Sequence, residues 1–372
     1  MKIEIKEVNN RKSLKKFIYF PSSIYKENSN WIPPIYMDEW KFFNLNKNKS
    51  FKYCDTCLVL AYENNKIAGR IMGIINKRYN ENNNEKNARF SFLECNNNQE
   101  VANALLTYIE NWAREKKMKT IVGPLGFSDK DPQGCLIEGF ENRCVISAPY
   151  NLEYLPQLIE NAGFKKKNNL VSYQIKVPDE IPDLYKKVHD RVFNNSNYEI
   201  FEPKTKKHLK QNIIPVFNLL NETYASIYAF DPLDNDEKKE FANRYISILN
   251  PDFTKTIKKN ETMAAFIISM PDISEGVQKA KGKIFPFGLF KILRSQKKTK
   301  QLVLLLGAVK EKYRGLGLDF ALAYKILETA KKYNFETIDS HLILESNTKM
   351  RAEAEKFGGQ VYKRFRIFQK EL

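Results

Sequence analysis

Two stretches about half a chain apart close in the same way, and this repetition restricts the available architectures more than any other feature. Residues 159–176 read IENAGFKKKNNLVSYQIK and residues 354–370 read AEKFGGQVYKRFRIFQK. In each, a helical run stops at glycine and a strand follows. The elements before them repeat as well. In DTCLVLAYENNKIAGRIMGIIN, the ENNK tetrad punctuates two apolar, β-branched runs, and RFSFLECN supplies a third strand. VANALLTYIENWAREKK carries Val101, Ala104, Leu105, Tyr108, Ile109 and Trp112 at helical spacing, and TIVGP is a short buried strand. The second half offers ETMAAFIISMP and QLVLLLGAV as strands, then DFALAYKILETAKKY as a helix. ETIDSHLILES follows as a strand and MRAEAEKFGG as a helix. This order predicts an α+β fold of two tandem domains, 1–177 and 178–372, each a mixed, mostly antiparallel sheet flanked by helices. VPDEIPDLYKK, with its two prolines, is the joint. Residues 208–233 lie outside the repeat and read as helical until Asp231-Pro232. Residues 271–300 also lie outside it and interrupt the strand order.

Composition enters where partners are concerned. The formal charge of +17 favours anionic partners in general. The excess is spread over both halves with no basic tail, so a cationic surface is expected and no specific nucleic-acid partner. No apolar run approaches a bilayer span, and MKIEIKEVNNRKS lacks the apolar stretch of a secretory signal. A cytoplasmic protein is expected. Residues 284–298 leave peripheral contact with the inner face of the membrane open. There Phe285, Phe287, Leu289, Phe290, Ile292 and Leu293 stand beside Lys291, Arg294, Lys297 and Lys298. Packing of that segment onto its own domain is the alternative. Cys54 and Cys57 form a lone CxxC with no second pair and a strand behind it. Reduced, structural thiols and no metal are therefore expected.

The chemistry concentrates in VKEKYRGLGLD, residues 309–319, where a strand runs through two glycines into a helix. Glycine lets a backbone approach a ligand, and the first amides of a helix make an anion site. A dinucleotide fingerprint would need a third glycine where Phe320 stands, and a P-loop would end in GKS or GKT. Locally, a phosphate cradle and a plain turn remain equal alternatives.

The wider order, strand–VKEKYRGLGLD–helix–strand–helix–strand with Asn347 just after the second strand, resembles the GNAT superfamily of acyl-CoA-dependent N-acyltransferases. That family's motif is Gln or Arg, two residues, Gly, one residue, then Gly or Ala. Lys312-Tyr313-Arg314-Gly315-Leu316-Gly317 fits except for Lys in first place. The resemblance covers about residues 260–370, and the whole chain if the first half is a second copy, which implies two tandem GNAT-like domains. It implies that amides from Arg314 through Gly315, Leu316 and Gly317 to Leu318 hold the CoA pyrophosphate. Val309 would lie beside the pantetheine arm near the acyl carbonyl, and Asn347 would touch the cofactor. Tyr362 is the candidate for the tyrosine that protonates the leaving thiolate. The co-substrate implied is acetyl-CoA or a longer acyl-CoA, and the acceptor an amine. The matching place in the first half, ECNNNQEV, has no glycine pair and cannot bring its backbone as close to phosphates. That half is expected to have lost CoA binding and to shape the acceptor pocket or the interface.

N-acyl transfer needs a neutral amine and so a base. If 338–346 is one strand, Asp339, His341, Ile343 and Glu345 share a face. His341 is the first base candidate and Glu345 the second, with a merely solvated face as the alternative. Glu94, in the apolar run FSFLEC, is the third, either paired in the interior or functional. The turn-rich stretch TIVGPLGFSDKDPQGCLIEGF is expected near the cleft, where Phe127, Asp129 and Asp131 could meet an acceptor, or else as a plain surface loop. Size, basic surface and apolar insertion favour a lipid-like amine and a long acyl donor. The alternatives are acetylation of a small amine or protein lysine, and a non-catalytic acyl-CoA-binding or membrane-associated module.

Overall fold

The computed structural model describes residues 2–194, 197–246 and 249–372, and among them fourteen strands join in one continuous sheet. The first half contributes β1 (Ile3–Glu7), β2 (Cys54–Glu63), β3 (Lys66–Asn76), β4 (Asn87–Cys95), β5 (Thr120–Gly123), β6 (Cys135–Glu138) and β7 (Lys165–Lys176). The second contributes β8 (Tyr198–Phe201), β9 (Thr254–Lys259), β10 (Thr262–Pro271), β11 (Gln301–Val309), β12 (Thr337–Asp339), β13 (Ile343–Leu344) and β14 (Gln360–Glu371). Helices α1 (Arg11–Tyr19), α2 (Pro21–Ile24), α3 (Tyr36–Phe42), α4 (Lys77–Asn83), α5 (Gln99–Glu115) and α6 (Tyr154–Asn161) belong to the first half. The second has α7 (Asp183–Asn194), α8 (Lys206–Tyr224), α9 (Asn235–Ile246), α10 (Ser274–Lys279), α11 (Gly288–Lys298), α12 (Leu318–Lys332) and α13 (Thr348–Lys356).

The strand order β1-β2-β3-β4-β5-β14-β7-β12-β11-β10-β9-β8 reads nearly the same from either end. Each half is antiparallel except for one parallel pair, β4 with β5 and β11 with β12. A helix bridges each parallel pair, as a crossover requires. In α5, Val101, Ala102, Leu105, Leu106, Ile109 and Ala113 recur at helical spacing and are buried. Each larger one contributes roughly 1.5–3 kcal/mol of burial. In α12, Leu318, Ala321, Leu322, Ile326, Leu327 and Ala330 do the same. The helix expected from residue 208 ends at Tyr224, before Asp231.

Strand pairing cuts across a boundary drawn at 177/178. The last strand of each half completes the other half's sheet. β14 pairs with β5 and β6, whereas β7 pairs with β12 and β13. The two exchanged strands also pair antiparallel with each other, from Gln360↔Gln174 to Gln369↔Lys165. The exchange leaves neither half with an exposed edge at its centre.

The turn-rich stretch from 120 to 140 meets the second half, but as a fastener. Phe127 is buried against Phe42 and Phe51. Asp129 pairs with Lys130 at 2.8 Å, and Lys130 Nζ donates to the Asp231 carbonyl at 2.7 Å. Burial pushes the Asp131 carboxyl up to about 6. Arg78 grips Asp231 through two bonds of 2.9 Å, a bidentate pair, and Asn76 donates to the same carboxylate at 3.0 Å. Asp129 and Lys130 therefore tie this turn to Asp231 of the second half, while Phe127 packs within the first half and Asp131 accepts the Ser128 amide of its own turn. All five cysteines are buried and unbridged.

Candidate functional site

β11 and β12 pair only over Gln301–Val303 with Thr337–Asp339, and then diverge. From Leu304 to Val309, about 20 Å at about 3.3 Å per residue, β11 keeps β10 on one side and, among the described residues, has no strand on the other. Leu305 faces no residue of β10, a bulge just beyond the vertex of the V. Two carbonyls along this length accept from side chains: Gly307 from Tyr224 Oη at 3.0 Å and Val309 from Arg314 Nε at 3.3 Å.

Past Val309 a short turn leads to Gly315 at φ 76° and Gly317 at φ 88°, conformations that favour glycine. A Cβ on Gly315 would meet nothing within 4 Å, so the backbone there faces open space. At Gly317 a Cβ would lie 2.7 Å from Val188 Cγ1 of α7. Gly317 is the N-cap of α12 and offers no side chain to cap it. Among the described residues, no protein acceptor takes the amides of Gly315, Leu316, Gly317 or Leu318. Free amides, the positive end of the helix dipole and Arg314 suit an anion.

At the vertex lies a pair the sequence did not join. The Tyr362 hydroxyl donates to Asp339 Oδ2, across β7 from β14 to β12. Tyr362 is the bulged residue between Val361 and Lys363. Asp339 is 2% exposed, and burial pushes its carboxyl up to about 7, with Tyr362 and Lys363 opposing that rise. Burial and Asp339 push the Tyr362 phenol well above its ordinary range. Burial pulls Lys363 down, and its Nζ donates to the Arg143 carbonyl at 2.7 Å. Arg143 in turn reaches Asp272 at 3.3 Å. A cleft of about 460 Å³, lined by Glu138, Asn142, Val361, Tyr362, Lys363 and Arg364 among others, opens beside the pair.

The other candidates fall differently. Residues 338–346 are not one strand, because the chain breaks between β12 and β13, so the expected row of charges does not form. His341 lies in that break. Its Nδ1 accepts the Leu342 amide at 2.6 Å, which leaves the proton on Nε2 and no nitrogen free as a base. Burial also pulls its pKa down to about 4. Glu345 accepts from Asn169 at 2.9 Å and pairs with Arg364, and these hold its carboxyl below the usual range, a poor base. Asn347 caps α13 by accepting the Met350 amide at 3.1 Å. Glu94 is paired in the interior with Arg70, and burial raises its pKa against that pairing. The sequence signal for Asp339 was its place in the charged row. Its partner Tyr362 lies 23 residues away on another strand.

The first half has the same V between β4 and β5, which pair only over Asn87–Arg89 with Thr120–Val122. Here the chain itself fills it. The Leu125 amide donates to Phe90 O at 2.8 Å, and Arg89 reaches the Gly126 and Phe127 carbonyls. The N-terminus of α5 is closed by the Asn98 side chain, which accepts the Glu100 amide at 2.9 Å.

A duplicated sheet with one parallel, splayed pair per half is the architecture of the GNAT acetyltransferases. The chain is a tandem GNAT-fold protein. It is similar to a tandem GNAT protein from the clavulanic acid biosynthesis pathway, at 10% identity and a TM-score of 0.57, over 100% of this chain and 98% of that one. By sequence it is 24% identical over 372 residues to protein YghO of Escherichia coli (strain K12), covering 98% of this chain and 94% of that protein. It is 23% identical over 366 residues to a bacterial ceramide synthase of Caulobacter vibrioides (strain NA1000 / CB15N), covering 96% and 95%. No family model matches the chain.

Proposed function

We propose that this protein is an acyl-CoA-dependent N-acyltransferase whose cofactor site lies in the second half and whose acceptor is a lipid-like amine. The observation that carries the reading is the open V of β11, running directly into a glycine loop with unclaimed amides. The amides of Gly315, Leu316, Gly317 and Leu318, with Arg314, would take the pyrophosphate. The open side of β11, from Val309 toward the bulge at Leu305, would take the pantetheine arm, and a free amide there would hold the carbonyl oxygen as charge develops. The Asn347 carboxamide, while capping α13, still has an NH2 to offer the cofactor.

Asp339 would serve as the base in place of His341 and Glu345. A carboxyl near pKa 7 can accept a proton from the acceptor's ammonium and hand one on at neutral pH. The amine nitrogen then forms its bond to the carbonyl carbon and the carbon–sulfur bond breaks. Tyr362 gives its hydroxyl proton to the thiolate and recovers one from Asp339, and the second proton of the nitrogen leaves to solvent water as the amide forms, so the proton count closes. Lys363 and Asp272 set the charge around the pair.

The ceramide synthase relative, similar over nearly the whole chain, supports an amine lipid as acceptor and a long acyl donor. Thermal-shift measurement with free CoA, acetyl-CoA and palmitoyl-CoA tests this. The largest stabilisation is expected with palmitoyl-CoA. A larger shift with acetyl-CoA would favour acetylation of a small amine or protein lysine, and no shift with any of the three would sink the acyltransferase reading.

A further inference from the structure

The turn before α11 and the helix itself display an apolar surface that no part of the described chain covers. Phe285, Phe287 and Phe290 are 73%, 74% and 67% exposed, and Leu289 and Leu293 are each 48% exposed. Eleven large apolar side chains are exposed among the described residues, and five of them fall in these nine positions. Scattered single residues would need no account, but a cluster does.

The helix that carries them is firmly held from behind. Gly288, Ile292 and Ser295 are buried, and a Cβ on Gly276 of α10 would lie 2.6 Å from the Ile292 Cα. Ile292 packs with Ile32, Cys144 and Val277. The Tyr36 amide donates to Gly282 O at 3.0 Å, and Gln278 donates to the carbonyls of Ser29 and Trp31. The aromatic face is therefore presented by a packed element and is not a frayed loop.

Cations border it. Lys291, Arg294 and Lys298 form a row beside Leu289, Phe290 and Leu293 at helical spacing, with Lys297 at its edge and Lys281 and Lys283 just before the turn. The nearby Lys279 and Lys300 pair with Glu275 and Glu336. Among the described residues, no carboxylate comes within 4.0 Å of Lys281, Lys283, Lys291, Arg294, Lys297 or Lys298. A second copy seated on this face would set the same cations against each other. An anionic lipid surface satisfies both parts, since headgroup phosphates meet the cations while the phenyl rings enter the acyl boundary.

We propose that Phe285–Leu293, with the basic row beside it, docks the protein reversibly on an anionic bilayer. Thr299 and Lys300 alone separate α11 from β11. Docking would therefore bring the vertex of the open V close to the lipid. The proposal does not rest on the acyl-transfer reading, because lipid binding and CoA binding are measured separately.

The test is flotation of the whole protein with vesicles of phosphatidylglycerol and phosphatidylethanolamine, and with phosphatidylcholine alone. The wild type is expected to float with the anionic vesicles, to be released by salt, and to stay unbound with phosphatidylcholine. The triple variant Phe285→Ser, Phe287→Ser, Phe290→Ser is expected to lose about tenfold or more of the bound fraction. Lys291→Glu, Arg294→Glu, Lys298→Glu should lose a comparable share. The acyl-CoA thermal shift of both variants should match the wild type. A wild type that fails to float at low salt overturns the proposal without any variant. So does unchanged flotation of the phenylalanine variant, or a wild-type dimer that this variant makes monomeric while flotation persists.

Discussion

The same V of diverging strands occurs twice, and the two copies differ in what fills them. Between β4 and β5, the Leu125 amide takes the Phe90 carbonyl and the Arg89 side chain takes the Gly126 and Phe127 carbonyls, the Arg70–Glu94 pair is buried nearby, and Asn98 caps the helix that follows. Between β11 and β12 the strand edge is open, the turn contains two glycines at positive φ, and the following helix is uncapped. One fold thus carries a closed V and an open one. The difference comes from a few side chains and not from the sheet. A capping asparagine satisfies the donors that an anion would otherwise need, whereas a glycine leaves them available.

The largest effect should come from separating the copies. Residues 1–177 expressed alone lack β14, and residues 178–372 alone lack β7, so each fragment exposes unpaired central strands. Neither should show a cooperative melt by circular dichroism, and co-expression should restore one. A fragment that folds cooperatively on its own would break the claim that the exchange matters.

Within the intact chain, Gly317→Trp should abolish the acyl-CoA thermal shift, because the new side chain meets Val188 and takes a strained φ. Asn98→Gly in the closed copy should leave that shift unchanged. Retained CoA binding in the first variant, or loss in the second, would reverse the assignment of the halves.

Asp339→Asn should lower kcat by about 10²–10⁴-fold. Because the carboxyl titrates near 7, the wild-type rate should rise with pH through that value as the base form appears. Stability runs the other way. A carboxyl whose folded pKa is raised contributes stability below its unfolded pKa and loses it as pH rises through the folded one. Asp339→Asn should therefore melt no lower than wild type at alkaline pH, and a large destabilisation there would mark Asp339 as structural.

In the closed copy, Glu94→Ala leaves Arg70 buried without its carboxylate and should cost about 3 kcal/mol or more in urea unfolding. The kcat of the folded fraction should be unchanged, and a lost kcat at intact stability would return Glu94 to the chemistry. The smallest effect is expected from Tyr362→Phe. Its hydroxyl helps hold the Asp339 carboxyl down, so the rising limb of the pH–rate profile should move to higher pH. A limb that stays in place would separate Tyr362 from the base.

Much of this was legible in the residues. The two matching endings announced the duplication, the alternation and helical spacing placed most elements, and the glycine pair marked the turn whose amides stay unclaimed. Those signals are local, since each depends on the backbone preferences and burial of a few neighbouring residues. The exchange of β7 and β14 was not legible. Two strands of like length and pattern can complete either half, and only the packing of Leu170, Phe365 and Ile367 with Leu136 in the joined sheet shows which one does. The partners of the candidate bases were not legible for a related reason. His341 and Glu345 looked available on an unbroken strand, but the break after Asp339 handed His341 to the Leu342 amide and Glu345 to Arg364. Asp339 met Tyr362 only because the folded sheet sets β14 two strands from β12. Local sequence thus determined which elements form and where the backbone could open. Which polar groups are neutralised, and which remain available, was decided by partners that only the tertiary structure brings within hydrogen-bonding distance.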